Sequence, residues 1–175
     1  HIKLILYYIC YMKELIFIRH AKSDWNNPLL SDINRPLGPR GLKDAPIMAA
    51  RLRSLVPAVD HIVSSNTVRA LETSSFFVKE YCMNIHGIES VPELYHAYPD
   101  EILHEVRNLN QLHRCVLFFG HNPGYTHLAN MFSDYMIDNV PTCAFFKLEI
   151  HADSWKEISP DNTRLTLFSK PRDDK

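Results

Sequence analysis

The fold of this chain is decided by one short stretch, Leu15-Ile16-Phe17-Ile18-Arg19-His20-Ala21-Lys22-Ser23. Apolar residues bounded by polar ones predict a buried strand. In open α/β sheets, ligands bind beyond the carboxyl ends of the strands, so Arg19 and His20 fall where a site is expected. A guanidinium can hold an anion bidentately, and a neutral imidazole is a nucleophile or base near pH 7. The alternative is a surface strand end with two polar residues by chance.

Length and composition indicate one globular domain. The 175 residues suffice to bury a core in a single domain. The formal net charge of −1 and the absence of a basic stripe in the sequence argue against a nucleic acid partner. The four cysteines are scattered without CxxC spacing. This pattern favours free thiols in a reducing compartment, so we expect a cytoplasmic protein.

The two ends of the chain are expected to lie outside the fold. Residues 2–12 are apolar, but this run is far shorter than the roughly 20 residues that span a bilayer. It also lacks the cleavage site of a signal peptide, so we expect no membrane partner. Met12-Lys13-Glu14 looks like a natural start, and residues 1–11 are interpreted as upstream or added sequence. We predict one domain over residues 12–170 and a polar tail over residues 171–175.

Strands alternate with helices along the rest of the chain. Further strands are predicted over residues 59–64, 85–91, 115–119, 144–150, 155–158 and 165–168, and helices begin near residues 39, 67, 99 and 124. The alternation predicts an α/β three-layer sandwich around a mainly parallel sheet. Period-two patterns in the last three strands predict an antiparallel edge. Pro46 must lie in the first turn of its helix or kink that helix.

Three predicted strands are followed by polar residues that can converge. Arg19 and His20 follow the first strand, Arg69 lies one turn into the helix after the second, and His121 and Asn122 follow the strand at 115–119. Carboxyl ends of parallel strands share one edge of the sheet, so two arginines and two histidines can meet there.

Such a constellation suits a phosphoryl group rather than a metal ion. Zinc prefers neutral histidine, cysteine or carboxylate ligands, not guanidinium neighbours, so we expect neither metal nor cofactor. Phosphoryl oxygens need several fixed donors, which two arginines supply. One imidazole can attack phosphorus and form phosphohistidine, while the other donates to a non-bridging oxygen. The helix that begins after His121 can add backbone donors.

Three motifs resemble the histidine phosphatase superfamily, whose fold is also called phosphoglycerate-mutase-like: Arg19-His20-Ala21, Ser64-Ser65 with Arg69-Ala70 and Thr73, and Gly120-His121-Asn122-Pro123. Three further stretches resemble its small SixA-like phosphohistidine phosphatases: Arg19-His20-Ala21-Lys22-Ser23, Asp32-Ile33-Asn34-Arg35-Pro36-Leu37 and Arg40-Gly41. The resemblance runs from Met12 to about Phe132, with similarity of fold beyond it. Ala21 stands where the commoner form of the first motif has glycine, as SixA-like members often do.

The resemblance implies the catalytic roles. His20 matches the histidine that becomes phosphorylated, Arg19 and Arg69 match the two phosphate-binding arginines, and His121 matches the second histidine of the pocket. The superfamily usually has a general acid after the third strand. Glu93, in Pro-Glu-Leu-Tyr, is the nearest candidate, although it lacks the longer motif around it.

The resemblance also suggests substrate-binding residues. Ser23 and Asn26 lie in the pattern Arg-His-x-x-Ser-x-Trp-Asn, which is similar to that of mutase members. Lys22 can steer an anionic substrate, and Asn122 completes the predicted set. The other histidines stand alone and are expected to be ordinary, with His96 and His127 as the two candidates for an exception.

The chemistry of the leaving group narrows the expected substrate. A P–N bond to an imidazole breaks with less protonation than a P–O bond to an alkoxide, so a site without a strong acid favours phosphohistidine. We therefore predict a phosphatase of phosphohistidine on proteins. The alternative in the same class is a phosphatase of small phosphate esters. The alternative in another class is a non-catalytic module that binds phosphate or a phosphoprotein.

Overall fold

The structure, a computed structural model, describes residues 12–171; the predictions for residues 1–11 and 172–175 lie outside the described residues. Its strands are β1 (Met12–Arg19), β2 (His61–Ser64), β3 (Ile88–Ser90), β4 (Cys115–Gly120), β5 (Phe145–His151) and β6 (Thr163–Ser169). Its α-helices are α1 (Pro39–Leu55), α2 (Val68–Glu80), α3 (Pro99–Asn108) and α4 (Gly124–Met131). Short 3₁₀ turns cover Asp32–Asn34, Ile85–Gly87, Pro92–Leu94 and Trp155–Glu157.

The six strands form one sheet in the order β3-β2-β4-β1-β5-β6. β4 is parallel to β1 and β2, and β2 is parallel to β3. β5 pairs antiparallel with β1 and β6. The predicted parallel sheet with an antiparallel edge is therefore confirmed. Arg19 pairs with Gly120 and Ser64 pairs with Phe119, so the carboxyl ends of β1, β2 and β4 meet at the same edge.

β1 lies inside the sheet with both faces covered. Successive side chains of a strand point to opposite faces, and here both sets are apolar. Leu15 and Phe17 join the core formed with α3 and α4, whereas Ile16 and Ile18 join the core formed with α1 and α2. None of the four side chains is exposed to solvent. The two cores on opposite faces confirm the three-layer sandwich.

One local prediction is wrong. In place of the strand predicted over residues 155–158, Trp155–Glu157 forms a 3₁₀ turn, because Ser154 and Glu157 cap each other's backbone N–H groups. The buried side chains there are Trp155 and Ile158, three residues apart, and Nε1 of Trp155 donates to the carbonyl of Asn110 at 3.2 Å. Of the two alternatives predicted for Pro46, the first turn of α1 is excluded, since Pro46 lies in the interior of that helix.

The cysteines and the helices were checked for disulfides and for membrane spans. Cys82, Cys115 and Cys143 are free thiols, as the scattered cysteines predicted. Burial raises the pKa of Cys115 and of Cys143, which makes both thiols poorly reactive. Within residues 12–171, the helices are too short or too polar to cross a membrane.

A buried lysine ties β1 to the segment before β4. The side chain of Lys13 is fully buried, and its Nζ donates to the carbonyls of Gln111 at 2.9 Å and His113 at 3.0 Å. The same Nζ lies 4.5 Å from the centroid of the Trp155 ring. Burial lowers the pKa of Lys13. A buried charge is tolerated only when it is paired, and here two carbonyls and an aromatic face supply the partners.

We predict that Lys13→Met destabilises the fold. Methionine keeps the length of the side chain, but it leaves two carbonyls without their donor, which should cost about 1–3 kcal/mol. Urea unfolding measures the loss, and Lys156→Met, at an exposed lysine, is the matched control. Equal unfolding free energies for Lys13→Met and wild type would show that these contacts contribute nothing net.

Candidate active site

His20 follows β1 and presents one defined nitrogen to the pocket. Its ring is buried, and Nδ1 lies 2.7 Å from the carbonyl oxygen of Ala21. A carbonyl only accepts, so Nδ1 carries the proton, and Nε2 of the neutral ring keeps its lone pair. The pKa of His20 is lowered to about 4, mainly by burial and also by Arg69 and Arg19, while the hydrogen bond with the Ala21 carbonyl acts in the opposite direction. At neutral pH, Nε2 is therefore an uncharged potential nucleophile.

Arg69 comes from the first turn of α2, which begins after Thr67 caps the helix. Its guanidinium is buried, and its Nε donates to Nε2 of His20 at 3.3 Å. Nη2 donates to the Asp32 carboxylate at 2.8 Å, and Nη1 donates to the Asp32 carbonyl. Arg69 is thus held rigidly, with one donor directed at the nitrogen that would attack a phosphoryl group.

Arg19 is the last residue of β1 and directly precedes His20. Its Nη1 donates to the carbonyl of Val140 at 2.7 Å and to Oδ1 of Asn139 at 3.4 Å. Its Nε is buried without a hydrogen-bond partner among the described residues. Buried donors are normally satisfied, and an anion bound in the pocket is a suitable partner for this one.

His121 follows β4, and its ring centroid lies 5.0 Å from that of His20. Nε2 is 2.9 Å from the Ser65 hydroxyl and 3.5 Å from the Thr67 hydroxyl, so a hydroxyl can donate to it. When a hydroxyl donates to Nε2, the ring proton sits on Nδ1, which is buried without a partner in the described part of the chain. The pKa of His121 is lowered to about 2, mainly by burial and also by His20 and Arg69. His121 is therefore neutral and offers one N–H donor.

Asn122 belongs to the surroundings of Arg19. Its Nδ2 donates to Oδ1 of Asn139 at 2.7 Å and to the carbonyl of Val140 at 3.1 Å. The same two groups accept from Arg19. Because Oδ1 of Asn122 is buried without a partner among residues 12–171, this side chain has capacity for a further donor. Its role in substrate binding stays a prediction.

The other predicted substrate-binding residues lie on the loop after β1. Ser23 is buried, and its hydroxyl accepts from Nε1 of Trp25 at 3.1 Å. Asn26 and Lys22 are exposed. Across the described chain, no hydrogen bond joins these three predicted residues to the two arginines and two histidines of the pocket. Their contribution also stays a prediction.

Glu93 lies on the 3₁₀ turn Pro92–Leu94, and its side chain is exposed. It lines a cavity of about 530 Å³ together with Tyr95, Asp100, Glu101, His104 and Glu105. Tyr95 also reaches the pocket, because its hydroxyl donates to the Asp32 carboxylate. Glu93 thus shares a cavity with Tyr95, and its role as a general acid stays a prediction.

Sequence reasoning missed a carboxylate in the pocket. Oδ2 of Asp32 accepts from Arg69 and, at 2.8 Å, from the Tyr95 hydroxyl, and Nε2 of His96 lies 4.0 Å from it. Burial raises the pKa of Asp32, but the hydrogen bonds from Tyr95 and Arg69 outweigh burial, and the net shift is downward. Tyr95 and His96 follow the end of β3. The pattern that marked His20 and His121, polar residues after a predicted strand, could therefore also have marked these two.

The comparisons with known proteins agree with this geometry. Residues 15–96 match the family model described as histidine phosphatase superfamily, branch 1. An uncharacterised protein of Mycobacterium tuberculosis is 27% identical, over 89% of this chain and 100% of its own length. An uncharacterised chloroplastic protein of Arabidopsis thaliana is 29% identical, over 83% of this chain and 70% of its own length.

Solved structures share the fold. The SixA protein of Agrobacterium tumefaciens aligns with a TM-score of 0.74 at 23% identity, covering 91% of this chain and 99% of its own. A protein histidine phosphatase SixA complexed with tungstate gives 0.66 at 20% identity, covering 89% and 95%. A mycobacterial glucosyl-3-phosphoglycerate phosphatase gives 0.58 at 14% identity, covering 88% and 97%.

The pocket geometry and the family match define the class. The chain matches the histidine phosphatase superfamily over residues 15–96, just under half of its length, and it shares the fold of solved SixA structures. It is a phosphatase that works through a histidine nucleophile.

We predict that the buried histidines make the fold acid-sensitive. The folded pKa values of His20 and His121, about 4 and about 2, lie below the ordinary value of 6.5. The unfolded chain therefore binds more protons below pH 6.5, and stability falls as the pH falls. Each histidine should contribute about 2 kcal/mol of loss between roughly pH 7.5 and pH 5, since one pKa unit is worth about 1.4 kcal/mol.

Urea unfolding at both pH values checks this expectation. His121→Gln should lose about 2 kcal/mol less than wild type over that pH interval, whereas His127→Gln, at an exposed histidine of α4, should behave like wild type. An acid loss in His121→Gln as large as that of wild type would contradict a neutral, buried His121.

Proposed function

We propose that this phosphatase hydrolyses phosphohistidine on proteins through a phosphohistidine intermediate at His20. The observation that carries the proposal is the neutral Nε2 of His20, which lies 3.3 Å from Nε of Arg69. A nucleophile in contact with a guanidinium is arranged for attack on an anionic phosphoryl group, because the guanidinium offsets the repulsion between the lone pair and the phosphoryl oxygens.

The first step uses the donors around that nitrogen. Nε2 of His20 attacks phosphorus, and the bond from phosphorus to the leaving group breaks on the opposite side. The Nε–H of Arg69 stops donating to Nε2 of His20 and donates to a phosphoryl oxygen instead. The unpaired Nε–H of Arg19 and the Nδ1–H of His121 are donors for the other oxygens. The Ala21 carbonyl holds the Nδ1–H of His20, so it stabilises the positive charge that forms on the phosphorylated ring.

The second step returns the enzyme to its starting state. Water attacks phosphorus, the P–N bond to His20 breaks, and the electron pair goes back to Nε2. The same donors hold the phosphoryl oxygens in both steps, because the charge on them is similar. Preorganised donors in a buried site stabilise such charge more strongly than water does.

Several features support a protein substrate. The phosphoramidate bond of phosphohistidine breaks with less protonation than an ester bond, and Glu93, the predicted acid, is exposed in a cavity that it lines with Tyr95. The fold is shared with a protein histidine phosphatase SixA. The free thiols fit a reducing compartment, and we propose a cytoplasmic location.

A second candidate function is the hydrolysis of small phosphate esters. The fold is also shared with a glucosyl-3-phosphoglycerate phosphatase, and the four central residues would bind the phosphoryl group of either substrate. The two functions differ in the leaving group, since an alkoxide must be protonated as it departs whereas an imidazole needs less protonation.

We predict that His20 carries the covalent intermediate. After brief reaction with ³²P-labelled phosphoramidate and an alkaline quench, acid-labile label should be found on His20. His20→Asn should abolish the label, and His127→Asn, a control on the exposed side of α4, should keep it. Label on any other residue, or label retained by His20→Asn, would overturn the mechanism.

We predict that phosphohistidine is the preferred substrate. Turnover of a phosphohistidine peptide should exceed that of sugar phosphates in kcat/KM, and Arg69→Ala should slow both by about tenfold to over a hundredfold, as expected for a charged hydrogen bond of about 1.5–3 kcal/mol. Sugar phosphates hydrolysed faster than the peptide would favour the ester phosphatase. Absence of turnover with any phosphorylated substrate would favour the non-catalytic module.

A further inference from the structure

A histidine outside the predicted set stands at the mouth of the pocket. The His96 ring lies 4.1 Å from that of Tyr95 and 6.0 Å from that of His121, measured between centroids. Its Nε2 is 4.0 Å from Oδ2 of Asp32, and its side chain is 60% exposed. His96 therefore faces both the solvent, where a leaving group departs, and the buried residues around His20.

The backbone holds His96 in an unusual conformation. Its φ is 58°, in the left-handed region that residues other than glycine seldom adopt. Such conformations persist only where the surroundings impose them, and they cluster at functional sites. The next residue, Ala97, is buried, and its carbonyl oxygen packs so closely on Gly124 that a Cβ there would collide with it. The segment is thus fixed against the start of α4.

The other titratable groups around His96 are poorly suited to give a proton to a leaving group. Asp32 has a lowered pKa and is ionised. The Tyr95 hydroxyl already donates to Asp32, and burial with this contact raises its pKa. His121 is buried and neutral. Arg69, which donates a hydrogen bond to Asp32, keeps its proton because a guanidinium stays charged in proteins.

We infer that His96 is a further catalytic residue, the general acid for the leaving group and then the base for the attacking water. The inference rests on the proposed function and deepens it. Asp32 is its positioning residue, because its carboxylate lies 4.0 Å from Nε2 of His96 and can orient the ring. Asp32 in turn is held by Arg69 and Tyr95, which links the proton donor to the phosphate-binding arginine.

The two steps balance. In the first, Nε2 of His20 bonds to phosphorus, the bond from phosphorus to the leaving atom breaks, and the proton of the His96 imidazolium passes to that atom. In the second, neutral His96 takes a proton from water as the water oxygen bonds to phosphorus. The P–N bond then breaks, its electron pair returns to His20, and phosphate leaves with His96 protonated again.

This assignment makes His96 a determinant of substrate range. An alkoxide depends on the donated proton, whereas a nitrophenolate departs without one and the amine of phosphoramidate needs less. Removing the proton donor should therefore restrict the enzyme to substrates with good leaving groups. Phosphohistidine would remain a substrate, while alkyl esters would be lost.

The test compares His96→Asn with wild type on phosphoramidate, p-nitrophenyl phosphate and an alkyl phosphate. Asparagine tolerates a positive φ and so keeps the backbone conformation. His86→Asn, at an exposed histidine of the turn Ile85–Gly87, is the matched control. Glu93→Gln is the third variant, since Glu93 is the acid that the sequence predicted.

With the alkyl phosphate, His96→Asn should lower kcat/KM by about 10²–10⁴-fold, the usual contribution of general acid catalysis, and by less than about tenfold with the other two substrates. We expect kcat/KM of the wild type with the alkyl phosphate to decline towards high pH, as for a reaction that needs a proton donor, and this decline should be absent from the variant. His86→Asn should match wild type throughout.

Three results would overturn the assignment: equal slowing of all three substrates, no slowing of any, or an ester-selective loss in Glu93→Gln but not in His96→Asn.

Covalent labelling with ³²P-phosphoramidate distinguishes a failure of this inference from a failure of the proposed function. Wild type and His96→Asn should both be labelled at His20 whether or not His96 is the acid. If wild type is not labelled there, the proposed mechanism itself fails.

Discussion

The parallel pairing of β1 with β4 is the constraint on which the pocket depends. It places Arg19 opposite Gly120, so that the residues following the two strands, His20 and His121, come within 5.0 Å of each other between ring centroids. β2 pairs with β4 on the other side, and the helix that follows β2 delivers Arg69 to the same point. A change of register between these strands would separate the nucleophile from its donors.

Burial gives these groups their chemical character. Two histidines beside two arginines would repel one another if charged, and burial already disfavours the charged form. Both rings are therefore neutral. The carbonyl of Ala21 only accepts, so it leaves Nε2 of His20 with its lone pair, and a hydroxyl of Ser65 that donates to Nε2 of His121 leaves that ring with an N–H at Nδ1. The same elements thus produce a nucleophile at one ring and a donor at the other.

The central site could be predicted from the sequence because its signal is local. An apolar run ending in polar residues marks the end of a buried strand, and three such ends converge in a parallel sheet. Asp32 escaped prediction as a site residue because it lies on a turn whose position depends on a long-range contact with Arg69. His96 could be predicted only as an exception among the lone histidines, because its turn is placed by the long-range packing of Ala97 on Gly124. The turn at Trp155 was mistaken for a strand because the capping by Ser154 and Glu157 overrides the alternating pattern.

The contact between Asp32 and Arg69 also affects how the product leaves. Inorganic phosphate is an anion that two arginines would retain tightly, and tight retention slows turnover. A carboxylate that already occupies N–H groups of Arg69 is an internal competitor for the same donors. Such competition weakens the binding of substrate and product alike, and weaker product binding speeds release. The salt bridge is therefore expected to speed the release of phosphate and to reduce inhibition by this product.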